Sequence, residues 1–245
     1  MSSLLPVYAA GQLVRGITEY LTTSFALADR GTSEALGAFL SDRENGMFYG
    51  PYVKARMPYA PAEDEPGELL EWLPGWFRPY HHQAEAFKRL RSKVPGGKEH
   101  EPEPTLVVTG TGSGKTESFL YPILDHARRE RRRGQRGVKA LILYPMNALA
   151  NDQASRLADL LTDFSEELGG VTAGIYTGET SGSGATRVSK DSLITDRNQI
   201  RSSPPDILLT NYKMLDQLLL RPADREIWRG SAHSLRYLVL DEFHT

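Results

Sequence analysis

From residue 79 onward the apolar residues fall into short continuous runs separated by longer amphipathic stretches. The runs are residues 105–109, 140–144, 173–177, 207–210 and 237–241. Each is too short for a helix and lacks the polar alternation of a half-exposed strand. Between them, residues 81–91, 115–133, 146–168 and 212–220 repeat their apolar positions at helical spacing. Continuous apolar strands alternating with helices predict an α/β fold, a parallel sheet with helices on both faces.

The first 75 residues have a different texture. Residues 12–28 place Leu13, Ile17, Tyr20, Leu21 and Phe25 on one helical face. Residues 32–40 read as a second helix with Thr32 or Ser33 as its N-cap. A Tyr/Pro-rich stretch at 48–61 reads as extended, and the acidic stretch 63–71 as solvated. No catalytic pattern occurs here, so residues 1–75 are expected to be a mainly helical accessory region and 76–245 the main domain. Within the latter, 95–104 is a Pro/Gly/Glu linker, and the Ser/Thr/Gly-rich run 178–205 reads as a long mobile insertion.

Composition narrows the class. No run of 18 apolar residues exists, so no membrane-spanning helix is predicted. No positive charge precedes the first apolar stretch, and Arg15 and Glu19 interrupt it, which argues against a signal peptide. The absence of cysteine excludes disulfides and thiolate-bound metals within this sequence. Together these fit a cytoplasmic protein. The net charge of −2 leaves no global positive field, so any nucleic-acid contact must rest on backbone N–H groups, hydroxyls and a few cations.

The most informative segment is Thr109-Gly110-Thr111-Gly112-Ser113-Gly114-Lys115-Thr116. It follows a predicted strand and opens a predicted helix. Glycines let the backbone curl until successive N–H groups converge at a helix N-terminus, a ready phosphate site. Lys115 is expected to bridge the β- and γ-phosphates of ATP, and Thr116 to give its hydroxyl to Mg²⁺. Thr109 departs from the general pattern, which wants glycine six residues before the lysine.

A second signal lies 126 residues beyond Lys115, where Leu238-Val239-Leu240 ends in Asp241-Glu242-Phe243-His244. An apolar strand should deliver both acids to the edge of a parallel sheet where ligands bind. Asp241 is expected to hold Mg²⁺, and Glu242 to orient and deprotonate the attacking water.

These motifs, in this order, resemble the first RecA-like domain of a superfamily 2 helicase of the DExH-box type. Residues 111–116 look like its motif I, and Asp241-Glu242-Phe243-His244 like its motif II. Tyr80-His81-His82-Gln83 resembles the upstream adenine-reading element, which implies that Gln83 contacts the base. Tyr144-Pro145-Met146-Asn147, Thr177-Gly178 and Thr210-Asn211-Tyr212 resemble the segments that touch a nucleic-acid backbone, with Pro145, Met146, Asn147, Thr177, Gly178, Thr210 and Asn211 as the implied contacts. The finer texture, Gly-Lys-Thr-Glu-Ser-Phe and Leu-Tyr-Pro-Met-Asn-Ala-Leu, is most similar to large bacterial DNA helicases of mitomycin-type repair and phage defence. The resemblance implies DNA rather than RNA as partner. It also implies a second RecA-like domain that supplies an arginine, from a further part of the chain or a partner chain, because the sequence stops just past motif II. A double-strand translocase, or an ATP-binding module without turnover, are the alternatives.

Weaker signals have bland readings beside sharp ones. The basic run 128–133 is either a solvated helix end favoured by the helix dipole or a nucleic-acid contact. Trp72, Trp76 and Phe77 read as core before they read as a wall near the base. Lys190, Arg197 and Arg201 read as solvated loop cations before they read as contacts to DNA phosphates.

Overall fold

The computed structural model describes residues 6–42, 44–49, 58–110, 112–178 and 184–242. The chain divides into two compact units, 1–58 and 59–245. Most of the stretch expected to be extended, 48–61, lies outside the described residues.

The first unit contains helices α1 (Pro6–Ser24) and α2 (Arg30–Ser41). The cap of α2 is Asp29 rather than Thr32 or Ser33: its carboxylate accepts the Thr32 N–H and hydroxyl, both at 2.7 Å. Asp29 thus satisfies an orphan donor of the first turn while Thr32 sits inside the helix.

The second unit is a parallel sheet of β1 (Ala140–Tyr144), β2 (Ala173–Tyr176), β3 (Ile207–Asn211) and β4 (Tyr237–Leu240), in the order β2-β3-β1-β4. Side chains alternate across it. Ala140, Ile142 and Tyr144 join Ile175, Ile207 and Leu209 in one core, covered by α4 (His81–Leu90), α5 (Lys115–Arg132) and α6 (Asn147–Asp163). Leu141 and Leu143 join Tyr176 and Leu208 in another, covered by α7 (Arg197–Ser202), α8 (Tyr212–Leu220) and α9 (Arg225–Ser231). Helices on both faces of a parallel sheet make this the expected RecA-like α/β arrangement.

Residues 59–75 belong to this unit. The short helix α3 (Pro66–Leu69) and the residues after it bury Leu69, Leu70, Trp72 and Leu73 in the first core. The acids expected to be solvated are mostly exposed, Glu63, Glu65 and Glu68 among them, while Asp64 pairs with Lys88 at 3.0 Å and Glu71 with Lys93 at 2.9 Å. Trp72 is core, its indole N–H donating to the Tyr121 carbonyl at 3.1 Å, while Trp76 lies exposed against Phe164.

Two further expectations fail. Residues 105–109 form no ladder, and Leu106 and Val108 are 84% and 81% exposed. This run starts near the base of β4, where Glu101 pairs with Arg236 at 2.7 Å. It ends beside Asp241, in a cavity that Gly110, Lys115 and Asp241 share. The apolar pattern encodes a strand, but among the described residues no strand pairs with it. Leu238 and Leu240 of β4 are exposed on the same account.

The second failure is the supposed mobile insertion. Leu193, Ile194 and Ile200 are buried, and α7 carries a capped start, with Asp196 accepting the Gln199 N–H at 2.7 Å. Ile194 bridges β2 from outside, accepting the Ile175 N–H at 2.9 Å and donating to Ala173 at 3.1 Å. The segment covers an otherwise open sheet edge. Gly174 permits it, since a Cβ there would lie 3.2 Å from the Ile194 carbonyl oxygen.

The basic run at the end of α5 keeps Arg131, Arg132 and Arg133 exposed, as a solvated helix end should, while several of its arginines also pair with acids. Arg129 pairs with the buried Asp125, Arg131 with Asp206 at 2.9 Å and Arg133 with Glu99 at 2.6 Å. His126, on the same helix, lies against the Ser92 hydroxyl at 2.7 Å. Burial, then the cations Arg129, Arg236 and Lys139, push its pKa down from 6.5 to about 3. Between these values the unfolded chain takes up a proton that the folded one refuses, so this contribution is intact above pH 6.5 and is lost as pH falls toward 3. Urea midpoints measured across that range should fall with acid in the wild type. The fall should be shallower by about one proton's slope in His126→Gln; parallel curves would refute the assignment.

Candidate functional site

The C-terminal ends of the parallel strands face one rim, where α/β sheets bind ligands. Gly112 and Gly114 adopt left-handed φ angles of 74° and 75°, turning the loop so that it opens α5 at Lys115. A Cβ on Gly112 would meet nothing within 4 Å, so the curl faces open space. The Ser113 hydroxyl is buried without a hydrogen-bond partner. Thr111 lies outside the described residues, and the Thr109 hydroxyl makes only a long contact of 3.3 Å to the Gly110 carbonyl.

Across the cavity, the ladder carries on past β4: the Asp241 N–H donates to the Leu143 carbonyl at 3.0 Å. Asp241 turns back to accept the Glu242 N–H at 3.0 Å, and Glu242 sits at a left-handed φ of 51°, an uncommon conformation for a residue with a side chain. Gly110, Gly112, Gly114, Lys115, Thr116, Asp241 and Glu242 thus line one cavity of about 380 Å³. Burial raises the Asp241 pKa, with the neighbouring Glu242 adding to the rise, while the Glu242 N–H and Lys115 oppose it. A carboxylate short of compensation in this way favours a cation. Phe243 and His244 lie outside the described residues.

The donor set fits Mg²⁺ carried in on phosphates. Thr116 and Asp241 offer a hydroxyl and a carboxylate, and no cluster of three or more metal-ligating residues exists among the described residues. Magnesium characteristically takes one or two protein oxygens and completes its shell from phosphates and water.

Gln83 is buried in α4, donates to the Gly114 carbonyl at 3.1 Å and accepts the Tyr80 N–H at 2.9 Å. The segment before it is fixed by pairing of 60–62 with 79–81, through His81 N–H to Ala60 at 2.8 Å and Ala62 N–H to Pro79 at 2.9 Å.

The residues implied as nucleic-acid contacts divide in two. Met146 is exposed at the end of β1, and the Asn211 amide donates to Asn147 at 2.6 Å while capping α8 through the Met214 N–H at 2.7 Å. Pro145 and Gly178 lie on the same rim. Thr177 and Thr210 are buried, and the Thr210 hydroxyl is spent on the Tyr176 carbonyl at 2.6 Å. Arg197 donates to the Thr177 carbonyl at 3.0 Å, and Arg201 pairs with Asp224 at 2.7 Å, so both brace the rim from inside.

Sequence reasoning missed Gln153 and Arg156. They lie on the face of α6 that lines the cavity, and Arg156 pairs with Glu117 of α5 at 3.2 Å. The signal was present: Leu149, Gln153 and Arg156 are spaced by four and three, one face of a helix that begins at the rim.

A phosphate-shaped loop facing paired acids on a parallel sheet defines a P-loop ATPase fold. The family model described as DEAD/DEAH box helicase matches residues 80–245, and the chain belongs to that family. It is 24% identical to Druantia protein DruE of Escherichia coli (strain UMEA 4076-1) over 95% of this chain and 18% of DruE. It is 28% identical to the uncharacterized ATP-dependent helicase YprA of Bacillus subtilis (strain 168), over 68% of this chain and 18% of YprA. It is also 28% identical to the ATP-dependent helicase hrq1 of Schizosaccharomyces pombe, over 67% of this chain and 13% of hrq1. The chain therefore spans less than a fifth of each relative. No helix among the described residues is long and apolar enough to cross a membrane.

Proposed function

We propose that this chain is the ATP-binding half of an ATP-dependent DNA helicase or translocase. One observation carries the reading. Lys115 and Thr116 meet Asp241 and Glu242 in a single cavity, although 126 positions separate Lys115 from Asp241. The loop N–H groups and Lys115 take the phosphates, and Thr116 and Asp241 hold Mg²⁺, which supplies charge neutralisation at the γ-phosphate when bound. Glu242 accepts the proton of the attacking water. Met146, Asn147, Gly178 and Asn211 offer the sugar-phosphate backbone a mostly uncharged rim. That predicts weak, sequence-independent and salt-sensitive binding by this half. DNA is the proposed track on the motif texture, and a second RecA-like domain the proposed partner.

The test is equilibrium binding of a fluorescent ATP analogue to residues 1–245. Binding should require Mg²⁺ and weaken at least about tenfold in Lys115→Ala, the loss of one charge-assisted contact. Equal affinity in wild type and variant sinks the site.

A further inference from the structure

The strand starts gather at the end of the sheet opposite the nucleotide cavity. Gly137 lies before β1, Thr172 before β2 and Asp206 before β3, and all three line a cavity of about 1210 Å³. β1 is five residues long, so roughly 16 Å of strand separates this base from the rim, at about 3.3 Å per residue. The two cavities share no lining residue. The base cavity is walled by the end of α5, the turn after α6, residues 186–189 and the end of α7.

Its charge is one-sided. Asp206 is the one acid in the lining, and two cations share it: Lys139 at 2.9 Å on one oxygen and Arg131 at 2.9 Å on the other. One carboxylate against two cations leaves a positive charge over. It falls to Arg131, because Lys139 is fully buried while the Arg131 side chain is 41% exposed. Arg136 and Arg187 add two exposed cations that engage no acid and no acceptor among the described residues. A chain of net charge −2 thus gathers three uncompensated positive charges in one concavity. They repel one another, and an anion relieves that repulsion.

The other free donors are hydroxyls. Ser165, Thr186, Ser189 and Ser203 line the same space, and among the described residues their side chains bond to nothing. Guanidinium forks and hydroxyls are the donors that phosphate oxygens accept from. No aromatic residue lines the cavity, so bases find no ring to stack on. An acidic peptide would bring carboxylates but no aromatic surface to anchor on. Both points favour phosphate groups.

We propose that the base of the sheet is a second anion site, which takes phosphate groups on Arg131, Arg136 and Arg187. The phosphates belong either to a free polyphosphate or to a nucleic-acid backbone that passes the base of the domain as well as its rim.

Two probes carry the same group in these two settings: inorganic tripolyphosphate, followed by calorimetry, and a short labelled DNA duplex, followed by fluorescence anisotropy. Both are titrated into residues 1–245 carrying Lys115→Ala, so that the nucleotide cavity contributes least. Adding Arg136→Ala with Arg187→Ala should weaken at least one probe by about tenfold or more, the loss of two charge-assisted contacts. For the duplex, the slope of log affinity against log salt should also fall by about 1.8, at about 0.9 per phosphate contact. Loss of tripolyphosphate alone assigns the site to a free ligand, and loss of the duplex alone assigns it to a backbone. With Lys115 intact, the same pair should leave Mg-ATP affinity and the urea midpoint unchanged, because both arginines are exposed and unpaired. Three results overturn the proposal: neither probe weakened by the pair, an equal fall in Mg-ATP affinity (a general field effect), or a polyglutamate peptide that binds more tightly than either probe and is the ligand lost. The nucleotide reading fails separately, on Mg-ATP binding that Lys115→Ala does not affect.

Discussion

Residues 1–245 on their own should bind Mg-ATP yet hydrolyse it at background rate, with or without DNA. The cavity holds a phosphate loop, Lys115 and two acids, which can position ATP and a water. The transition state spreads charge over the γ-phosphoryl oxygens, and an inserted arginine contributes about 10³–10⁵ in rate in related systems. Arg156 is the arginine lining the cavity among the described residues, and Glu117 already neutralises it at 3.2 Å. The run at the end of α5 is committed to Asp125, Asp206 and Glu99. Supplying the proposed second RecA-like domain should give DNA-stimulated hydrolysis, which Lys115→Ala or Glu242→Gln should abolish. Steady-state phosphate release decides it. Robust turnover by the 245-residue chain, lost in Lys115→Ala, would show that the site is complete without a second domain.

Asp206→Asn should be the most destabilising conservative change on the opposite edge of the sheet. Asp206 accepts from the Lys139 ammonium at 2.9 Å, Arg131 at 2.9 Å, and the Thr172 N–H and hydroxyl at 2.8 and 3.0 Å. It joins the strand starts of β1, β2 and β3. Lys139 is 0% exposed and cannot turn to water, whereas Arg131 can. Removing one member of a buried pair strands the other, at a cost of about 3–5 kcal/mol. Urea unfolding should show that loss. Asp206→Leu combined with Lys139→Met should recover much of it, because no unpaired charge is left. A shift below about 0.5 kcal/mol in Asp206→Asn, the range of ordinary surface changes, would refute the account.

Local chemistry was legible in the sequence; partnership was not. Glycines at 112 and 114, and two acids after an apolar run, announce their geometry because each motif needs only its neighbours. Residues 105–109 carry the same kind of apolar run as 140–144, yet only the latter has strands on both sides. Leu193, Ile194 and Ile200 disappear into a polar average, though three buried residues suffice to dock the segment on β2. The arginines of the α5 end looked solvated because their partners Asp206 and Glu99 lie far off in sequence. Gln83 was assigned by resemblance, and no spacing rule could reveal that its amide faces Gly114.

The unpaired flank of β4 has a practical side. Leu238 and Leu240 of that strand are exposed, and among the described residues no strand pairs with its outer flank. Such an edge templates any extended chain that meets it, including another copy of itself. Concentrated protein is therefore expected to self-associate through this edge. Light scattering and chromatography belong beside every binding isotherm recorded on it, and a charged residue at Leu238, on the solvent side of the strand, is the simplest way to keep the molecule single.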